Sequence, residues 1–194
     1  MRWTRWTAVA LVAVAALCAL LSLSCSTATT TQTAAPAAMT AEQKVARGAY
    51  IMGTYSCGDC HTPGSLYGAP DTTRRFSGSE LGWVGPWGVV YAANLTPDST
   101  GLAAWSEDQI VNLFKTGIRP DGRQLAPIMP WMALSHMTDD DLHAIVAYLK
   151  SLPPVKHVAP KPVPPTEKPK GAVVMFPPPP AWDAMNLPKP PGMK

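Results

Sequence analysis

The most reactive side chains of the chain stand together in one short run, Cys57-Gly58-Asp59-Cys60-His61. Two thiols at this spacing can add to the two vinyl groups on one edge of a porphyrin, and the adjacent imidazole then faces the iron. The pattern C-x-x-C-H is the attachment signature of c-type haem. We therefore predict one haem c, bound covalently through Cys57 and Cys60, with His61 as an axial ligand of the iron.

Other chemistries also use closely spaced cysteines. A redox pair of the thioredoxin kind requires a surrounding βαβ pattern, and the flanking sequence shows none. A zinc site requires further ligands at suitable spacing; His136 and His143 are present, but the remaining cysteines, Cys18 and Cys25, both lie in the leader. A chance occurrence of the five-residue signature is the third alternative.

The second axial ligand must come from another part of the chain. Three methionines follow the motif in the folded part, namely Met129, Met132 and Met137. Met129 is flanked by Pro127 and Pro130, which stiffen the loop, so we predict Met129 as the ligand. Met132 and Met137 are expected to pack or to be partly exposed, and His136 and His143 are the rival ligands. Histidine with methionine raises the reduction potential, and a filled sixth position favours electron transfer.

Capping signals predict three helices. Thr40 and Gln43 form a capping box, which predicts a first helix from about Ala41 to Ser56. Ser106 and Gln109 form a second box, which predicts a helix to about Lys115 that ends at Gly117. Thr138 and three aspartates begin a last helix, which Pro153 stops.

Long loops separate these helices. Residues 62–104 contain many glycines and prolines and predict an irregular segment with a hairpin around Trp87–Leu95. A loop of this length argues against a compact domain unless it packs on something, and a haem supplies that surface.

The two ends of the chain differ in composition from its middle. We predict a signal peptide over residues 1–25, a flexible tether over 26–40, the haem domain over 41–155 and a proline-rich tail over 156–194. The tail is expected to be extended rather than a second domain.

The leader indicates export. Arg2 and Arg5 precede an apolar run over Ala8–Leu23, the pattern of a secretory signal that directs a bacterial protein to the periplasm. The run is shorter than the roughly 20 residues of a membrane-spanning helix. An uncleaved N-terminal membrane anchor is the alternative.

Cys25 permits a sharper hypothesis. Leu21-Ser22-Leu23-Ser24-Cys25 resembles a bacterial lipoprotein signal, in which a lipid on the cysteine anchors the protein to the membrane. Ordinary cleavage, for example after Ala35-Pro36-Ala37, is the alternative.

The distribution of charge excludes one class of partner. The six lysines after Leu152 give the tail its basic character, whereas the stretch over residues 6–152 carries 11 acidic and eight basic residues. Nothing in this pattern is typical of a phosphate-binding surface, so we predict no nucleic-acid partner.

Short motifs spread over residues 43–155 resemble class I c-type cytochromes of the bacterial periplasm. The resemblance is strongest to haem domains in cytochrome subunits of membrane-bound alcohol, gluconate or molybdenum-containing dehydrogenases. The motifs are Gly48-Ala49-Tyr50, Cys60-His61-Thr62-Pro63, Asn94-Leu95-Thr96-Pro97-Asp98, Thr100-Gly101-Leu102, Trp105, Asp121-Gly122-Arg123, Met129-Pro130-Trp131, Ala147-Tyr148-Leu149 and Pro153-Pro154-Val155. Such subunits carry two or three haem motifs, whereas this chain has one.

The resemblance implies an all-α class I cytochrome c fold around one haem, with the first and last helices crossing where Gly48 meets Tyr148. It implies Met129 as the axial methionine. It also implies a set of candidates for haem-pocket or propionate contacts: Pro63, Trp87, Tyr91, Arg123 and Trp131. Ordinary packing is the alternative role for each of these.

Three functional hypotheses follow. The first is a monohaem electron carrier, with no catalytic residue, that moves single electrons from a dehydrogenase or respiratory complex to an oxidase or another cytochrome. The second is a dedicated subunit of a membrane-associated oxidoreductase complex, docked through the tail; a solvated tail, or one folded back over its own domain, is the alternative. The third, which we disfavour, is a haem sensor or peroxidase, because no distal histidine is evident.

Overall fold

The computed structural model of the chain describes residues 38–176. It contains five α-helices: α1 (Ala41–Thr54), α2 (Cys57–His61), α3 (Glu107–Thr116), α4 (Trp131–Leu134) and α5 (Asp139–Ser151). Two short 3-10 helices, Ser65–Tyr67 and Thr72–Arg74, lie between α2 and the first strand. It contains three strands: β1 (Gly82–Gly85), β2 (Gly88–Tyr91) and β3 (Val173–Met175). The predicted signal peptide with Cys25, most of the predicted tether and the residues beyond Phe176 lie outside the described residues.

Both predicted capping boxes are confirmed. At the start of α1, the Thr40 hydroxyl accepts from the Gln43 backbone N–H at 3.3 Å, and the Gln43 side chain accepts from the Thr40 N–H at 2.8 Å. Ser106 and Gln109 form the same pair of bonds at α3. Each capping box supplies acceptors for two backbone N–H groups that have no partner within the helix. The residues of the box therefore indicate where each helix begins.

The first helix ends two residues earlier than predicted. Its last residue is Thr54, and Ser56 has a φ of 52°, in the left-handed region. A left-handed residue cannot continue a right-handed helix, so the chain turns there and begins α2 in a new direction. The α2 helix carries the whole C-x-x-C-H motif.

Helices α1 and α5 cross at Gly48, as predicted. A Cβ atom on Gly48 would lie 2.6 Å from the carbonyl carbon of Ala144 and 2.7 Å from the Cβ of Tyr148. The missing side chain therefore sets the distance between the two helices. An ion pair between Arg47 and Asp141, at 2.7 Å, joins the same helices beside the crossing.

A single apolar cluster holds the helices together. It includes residues from α1, α3 and α5, among them Ile51, Ile110, Leu142, Ile145 and Leu149. Each of these side chains is at most 5% exposed. Their recurrence every three or four residues along the helices is the spacing that indicated amphipathic helices in the sequence.

The all-α prediction requires a correction, because the described residues include a small sheet with strand order β2-β1-β3. Strands β1 and β2 form an antiparallel hairpin in which Trp83 pairs with Val90. The hairpin therefore spans Gly82–Tyr91, several residues before the predicted position at Trp87–Leu95. These strands are only four residues long, and glycines and a proline lie in and beside them. The alternation of apolar and polar residues that indicates a strand is therefore hard to recognise in the sequence.

The described part of the tail folds back over its own domain. Val163 pairs with Val89, β3 runs parallel to β1, and the ring of Phe176 stacks on Trp83 with centroids 6.1 Å apart. Proline has no backbone N–H to donate, so the tail bonds to the domain through its other residues. The Val163 N–H donates to the Val89 carbonyl, and the Phe176 N–H donates to the Val84 carbonyl. Residues 156–176 belong to the folded unit, and the prediction of an extended tail over 156–194 stays a prediction.

Within residues 38–176, the helices are all too short or too polar to cross a membrane.

We predict that Gly48→Ala lowers the free energy of unfolding by about 1–3 kcal/mol, because overpacking forces backbone shifts at the crossing. Denaturant titration of the haem-loaded protein would measure this change. Gly53→Ala is the matched control on the same helix, since its added Cβ has no neighbour within 4 Å. That control should leave stability unchanged or raise it by up to about 1 kcal/mol. Equal effects of the two substitutions would contradict the close crossing.

Candidate haem site

His61 lies at the end of α2 and is fixed by one hydrogen bond. Its Nδ1 is 2.8 Å from the carbonyl oxygen of Ala93, 32 residues further along the chain. A carbonyl oxygen only accepts, so Nδ1 carries the hydrogen and Nε2 keeps its lone pair. Burial lowers the pKa of His61, which also favours the neutral ring. A neutral imidazole with a free Nε2 is the form that binds a metal ion.

Cys57 is the first residue of α2 and Cys60 is the fourth. Both thiols are partly buried and unpaired. Burial raises the pKa of Cys57 to about 11, and burial together with the neighbouring Asp59 raises the pKa of Cys60. Thiol–disulfide exchange requires the thiolate, so raised pKa values argue against a redox-active pair.

A cavity of about 640 Å³ lies against the motif. Its wall contains Cys57, Cys60 and His61 together with Met129, and most of the remaining wall is apolar, including Leu102, Phe114 and Leu149. Cavities that hold small organic ligands typically measure about 300–1,000 Å³ and are mainly apolar with a few polar groups. The volume and the lining both fit a porphyrin.

Exposed apolar side chains on the cavity wall support the same conclusion. Tyr55, Leu66 and Val158 line the cavity and are 47%, 45% and 73% exposed in the polypeptide alone. Large apolar side chains that face water are unfavourable. A mainly apolar occupant such as haem would remove this surface from solvent.

Six of the predicted site residues lie on this wall, namely Cys57, Cys60, His61, Tyr91, Arg123 and Met129. Three do not. Pro63 is buried, and its carbonyl accepts from the Asp71 N–H at 2.9 Å. The indole N–H of Trp87 donates to the Trp83 carbonyl at 3.2 Å, and Trp131 packs beside Gly117.

The rival ligands lie elsewhere among the described residues. His136 is exposed, and His143 is 2.7 Å from a carboxylate oxygen of Glu107. Met132 is 48% exposed, and Met137 packs against the core without lining the cavity.

One further methionine, Met52, does line the cavity. It lies on α1 and is 2% exposed within the apolar cluster. Its position within α1, among other core residues, gives it a packing role.

Several wall residues were missing from the sequence-based set. Trp83, rather than Trp87, lines the cavity. Arg119 joins Arg123 there, with its guanidinium 4.9 Å from the centre of the Trp105 ring. A bend that brings the Arg119 N–H to the Arg123 carbonyl, at 3.0 Å, places the two arginines together. The Asp121-Gly122 turn between them was the available signal.

The last group of unforeseen wall residues, Val158–Pro162, comes from the tail. No spacing rule connects these residues to the motif, which lies about 100 positions earlier. Their place on the wall follows from the way the tail folds back.

Comparison with known proteins supports these observations. A sequence profile described as Cytochrome c matches residues 45–153. The chain is 32% identical over 119 residues to the fructose dehydrogenase cytochrome subunit of Gluconobacter japonicus, covering 60% of this chain and 23% of the relative. It is 32% identical over 108 residues to the cytochrome c subunit of the quinone alcohol dehydrogenase of Gluconobacter oxydans, covering 55% and 21%. It is 32% identical over 105 residues to the gluconate 2-dehydrogenase cytochrome c subunit of Pantoea cypripedii, covering 54% and 22%.

The matched region spans less than a quarter of each of these relatives. The profile, in contrast, matches more than half of the 194 residues of this chain, and its matched region contains both cysteines and the histidine of the motif. The chain therefore belongs to the cytochrome c family, whose domain carries a covalent haem c.

Proposed function

We propose that this chain carries one haem and transfers single electrons, with His61 and Met129 as the axial ligands of the iron. The observation that supports this most directly is the shared cavity. It brings together the thiols of α2, the oriented imidazole of His61 and the thioether of Met129, which is 68 residues further along the chain. Haem bound there supplies a reversible one-electron couple.

The chain's own residues have distinct tasks in this proposal. Cys57 and Cys60 would hold the ring covalently, and the Ala93 carbonyl would keep the His61 ring in one orientation. The loop that carries Met129 is closed by a hydrogen bond from the Met129 N–H to the Ala126 carbonyl at 3.0 Å, and Pro130 follows directly. A stiff loop can keep a weakly binding thioether in place while the charge of the iron changes.

The two arginines of the wall suit the acidic edge of a haem. Arg119 and Arg123 both line the cavity, and haem carries two carboxylate groups. Guanidinium groups bind carboxylates through paired hydrogen bonds. We propose that these side chains contact the propionates, with Tyr91 and Trp83 packing on the ring.

An enzymatic role receives less support. Of the four histidines of the chain, all of which the structure describes, His61 alone lines the cavity. A peroxidase or sensor would need an open sixth position on the iron with acid–base groups near it. In our proposal Met129, which lines the cavity, fills that position. We therefore propose a non-catalytic electron carrier.

The names of the relatives suggest a dehydrogenase as the electron donor. All three are named as cytochrome subunits of dehydrogenases, and we propose that this chain likewise accepts electrons from a dehydrogenase. A role as a dedicated subunit of such a complex is the second candidate. The predicted leader directs this partnership to the periplasm, and a lipid on Cys25 would hold the chain at the membrane.

We predict that Met129→Ala opens the sixth position of the iron. The reduced variant should bind carbon monoxide, and its absorption spectrum should change from low-spin to high-spin. Met132→Ala and Met52→Leu are the controls, because the first alters an exposed methionine and the second conserves core volume. An unchanged spectrum in Met129→Ala would show that another group binds the iron.

We also predict that a dehydrogenase accompanies the chain through purification from native membranes in mild detergent. Haem staining and mass spectrometry of the co-eluting proteins would identify it, and adding its substrate should reduce the haem. Recovery of the chain alone, with a reversible one-electron couple, would contradict the subunit role and favour a mobile carrier.

A further inference from the structure

The start of the tail runs along the cavity that holds the motif. We call residues 156–163 the strap. Five of its residues, Val158–Pro162, line the cavity. The strap lies outside the region that matches the Cytochrome c profile, which ends at residue 153.

The strap is anchored at its first end by a buried amide. Asn94 is 3% exposed, and its Nδ2 donates to the carbonyl of Val155 at 2.8 Å and to that of His157 at 3.3 Å. Thr96 reinforces this contact, because its hydroxyl oxygen accepts from the Val155 N–H at 3.1 Å. Asn94 itself lines the cavity, immediately after the Ala93 carbonyl that orients His61.

The side chain of His157 adds a second attachment at the same end. Its Nδ1 is 2.6 Å from the Ser77 carbonyl oxygen, and its Nε2 is 2.8 Å from a carboxylate oxygen of Glu80. The side chain is only 12% exposed. Whichever ring nitrogen carries a hydrogen has an acceptor on the segment before β1, so the His157 side chain acts as a clamp between the strap and the domain.

The other end of the strap is held by backbone pairing. Val163 and Val89 exchange two hydrogen bonds, of 2.9 Å and 2.8 Å, and Val89 is 2% exposed. Gly88, with a φ of +88°, makes this approach possible, because a Cβ there would overlap the Val163 carbonyl. The residues between the two anchors include Pro160 and Pro162, whose fixed φ angles reduce the number of conformations open to the strap.

We propose that the strap is a component of the haem site: it closes over the bound haem, limits the access of water to it and raises its reduction potential. Two features carry the argument. Val158, 73% exposed in the polypeptide alone, needs an apolar surface to pack on, and Lys161 brings a positive charge to the same wall. The inference rests on the proposal that the cavity holds haem.

The effect on the potential follows from charge. The ferric haem carries one more positive charge than the ferrous haem. Excluding water weakens the solvation of that charge, and a nearby ammonium group repels it. Both effects disfavour the oxidised form, so the closed strap and Lys161 shift the midpoint potential in the same direction, upward.

The test loosens both ends of the strap in the haem-loaded, full-length protein and leaves the Asn94 and Thr96 contacts in place. His157→Ala removes the clamp, and Val163→Pro removes the N–H that pairs with Val89. We expect the double variant to retain its covalent haem and low-spin spectrum and to show a lower midpoint potential in spectroelectrochemical titration. Limited proteolysis within residues 156–163 should accelerate by roughly tenfold or more, since charge-assisted and backbone hydrogen bonds are lost.

A pair of single substitutions tests the electrostatic part without loosening the chain. Lys161→Ala should lower the midpoint potential. Lys168→Ala removes the same charge from an exposed site that is not on the cavity wall, and it should leave the potential nearly unchanged. This comparison also holds if the double variant fails to fold.

The outcomes are distinguishable. Faster proteolysis with an unchanged potential would overturn the proposal, because the strap would then open without affecting the haem. Unchanged proteolysis would show that the His157 clamp and the Val163 pairing do not hold the strap, and equal effects of the two lysine substitutions would remove the role of Lys161. A wild-type protein without covalent haem would contradict the proposed function instead.

Discussion

The hydrogen bond between His61 and the Ala93 carbonyl joins the two parts of the site that are distant in sequence. On one side lies α2 with the C-x-x-C-H motif, and on the other lies the loop that follows the hairpin. The next residue in that loop, Asn94, binds the chain as it leaves α5. A single short stretch therefore orients the proposed iron ligand and also fixes the start of the tail.

The helical crossing provides the frame for this arrangement. Gly48 lets α1 approach α5 closely, and α1 leads directly into the left-handed Ser56 and the motif. The cavity lies among side chains of these helices and α3. Residues 62–104 have little regular structure, and they are held by hydrogen bonds and by packing around the cavity rather than by a long ladder of strands. A bound cofactor would explain how so long a segment keeps one conformation.

The sequence predicted well those features that depend on local chemistry. The capping boxes at Thr40 and Ser106, the stop at Gly117 and the contact of Gly48 with Tyr148 follow from rules that act over a few residues or from the resemblance of short motifs. The hairpin was misplaced because glycine and proline mask the alternation of its strands. Trp83, Arg119 and the strap were missed because their position on the wall depends on how loops fold in three dimensions. The roles of Met129 and Arg123 stay predictions, although both side chains lie on the wall.

The proposed electron-carrier role depends on one covalent haem bound at Cys57 and Cys60. The most direct measurement is mass spectrometry of the protein matured in a host that attaches c-type haem, on both the intact chain and its peptides. We expect one haem per chain, on the peptide that contains residues 57–61, and no haem attachment in a Cys57→Ser/Cys60→Ser variant. A wild-type chain that carries no covalent haem, or haem that persists in the variant, would contradict this role.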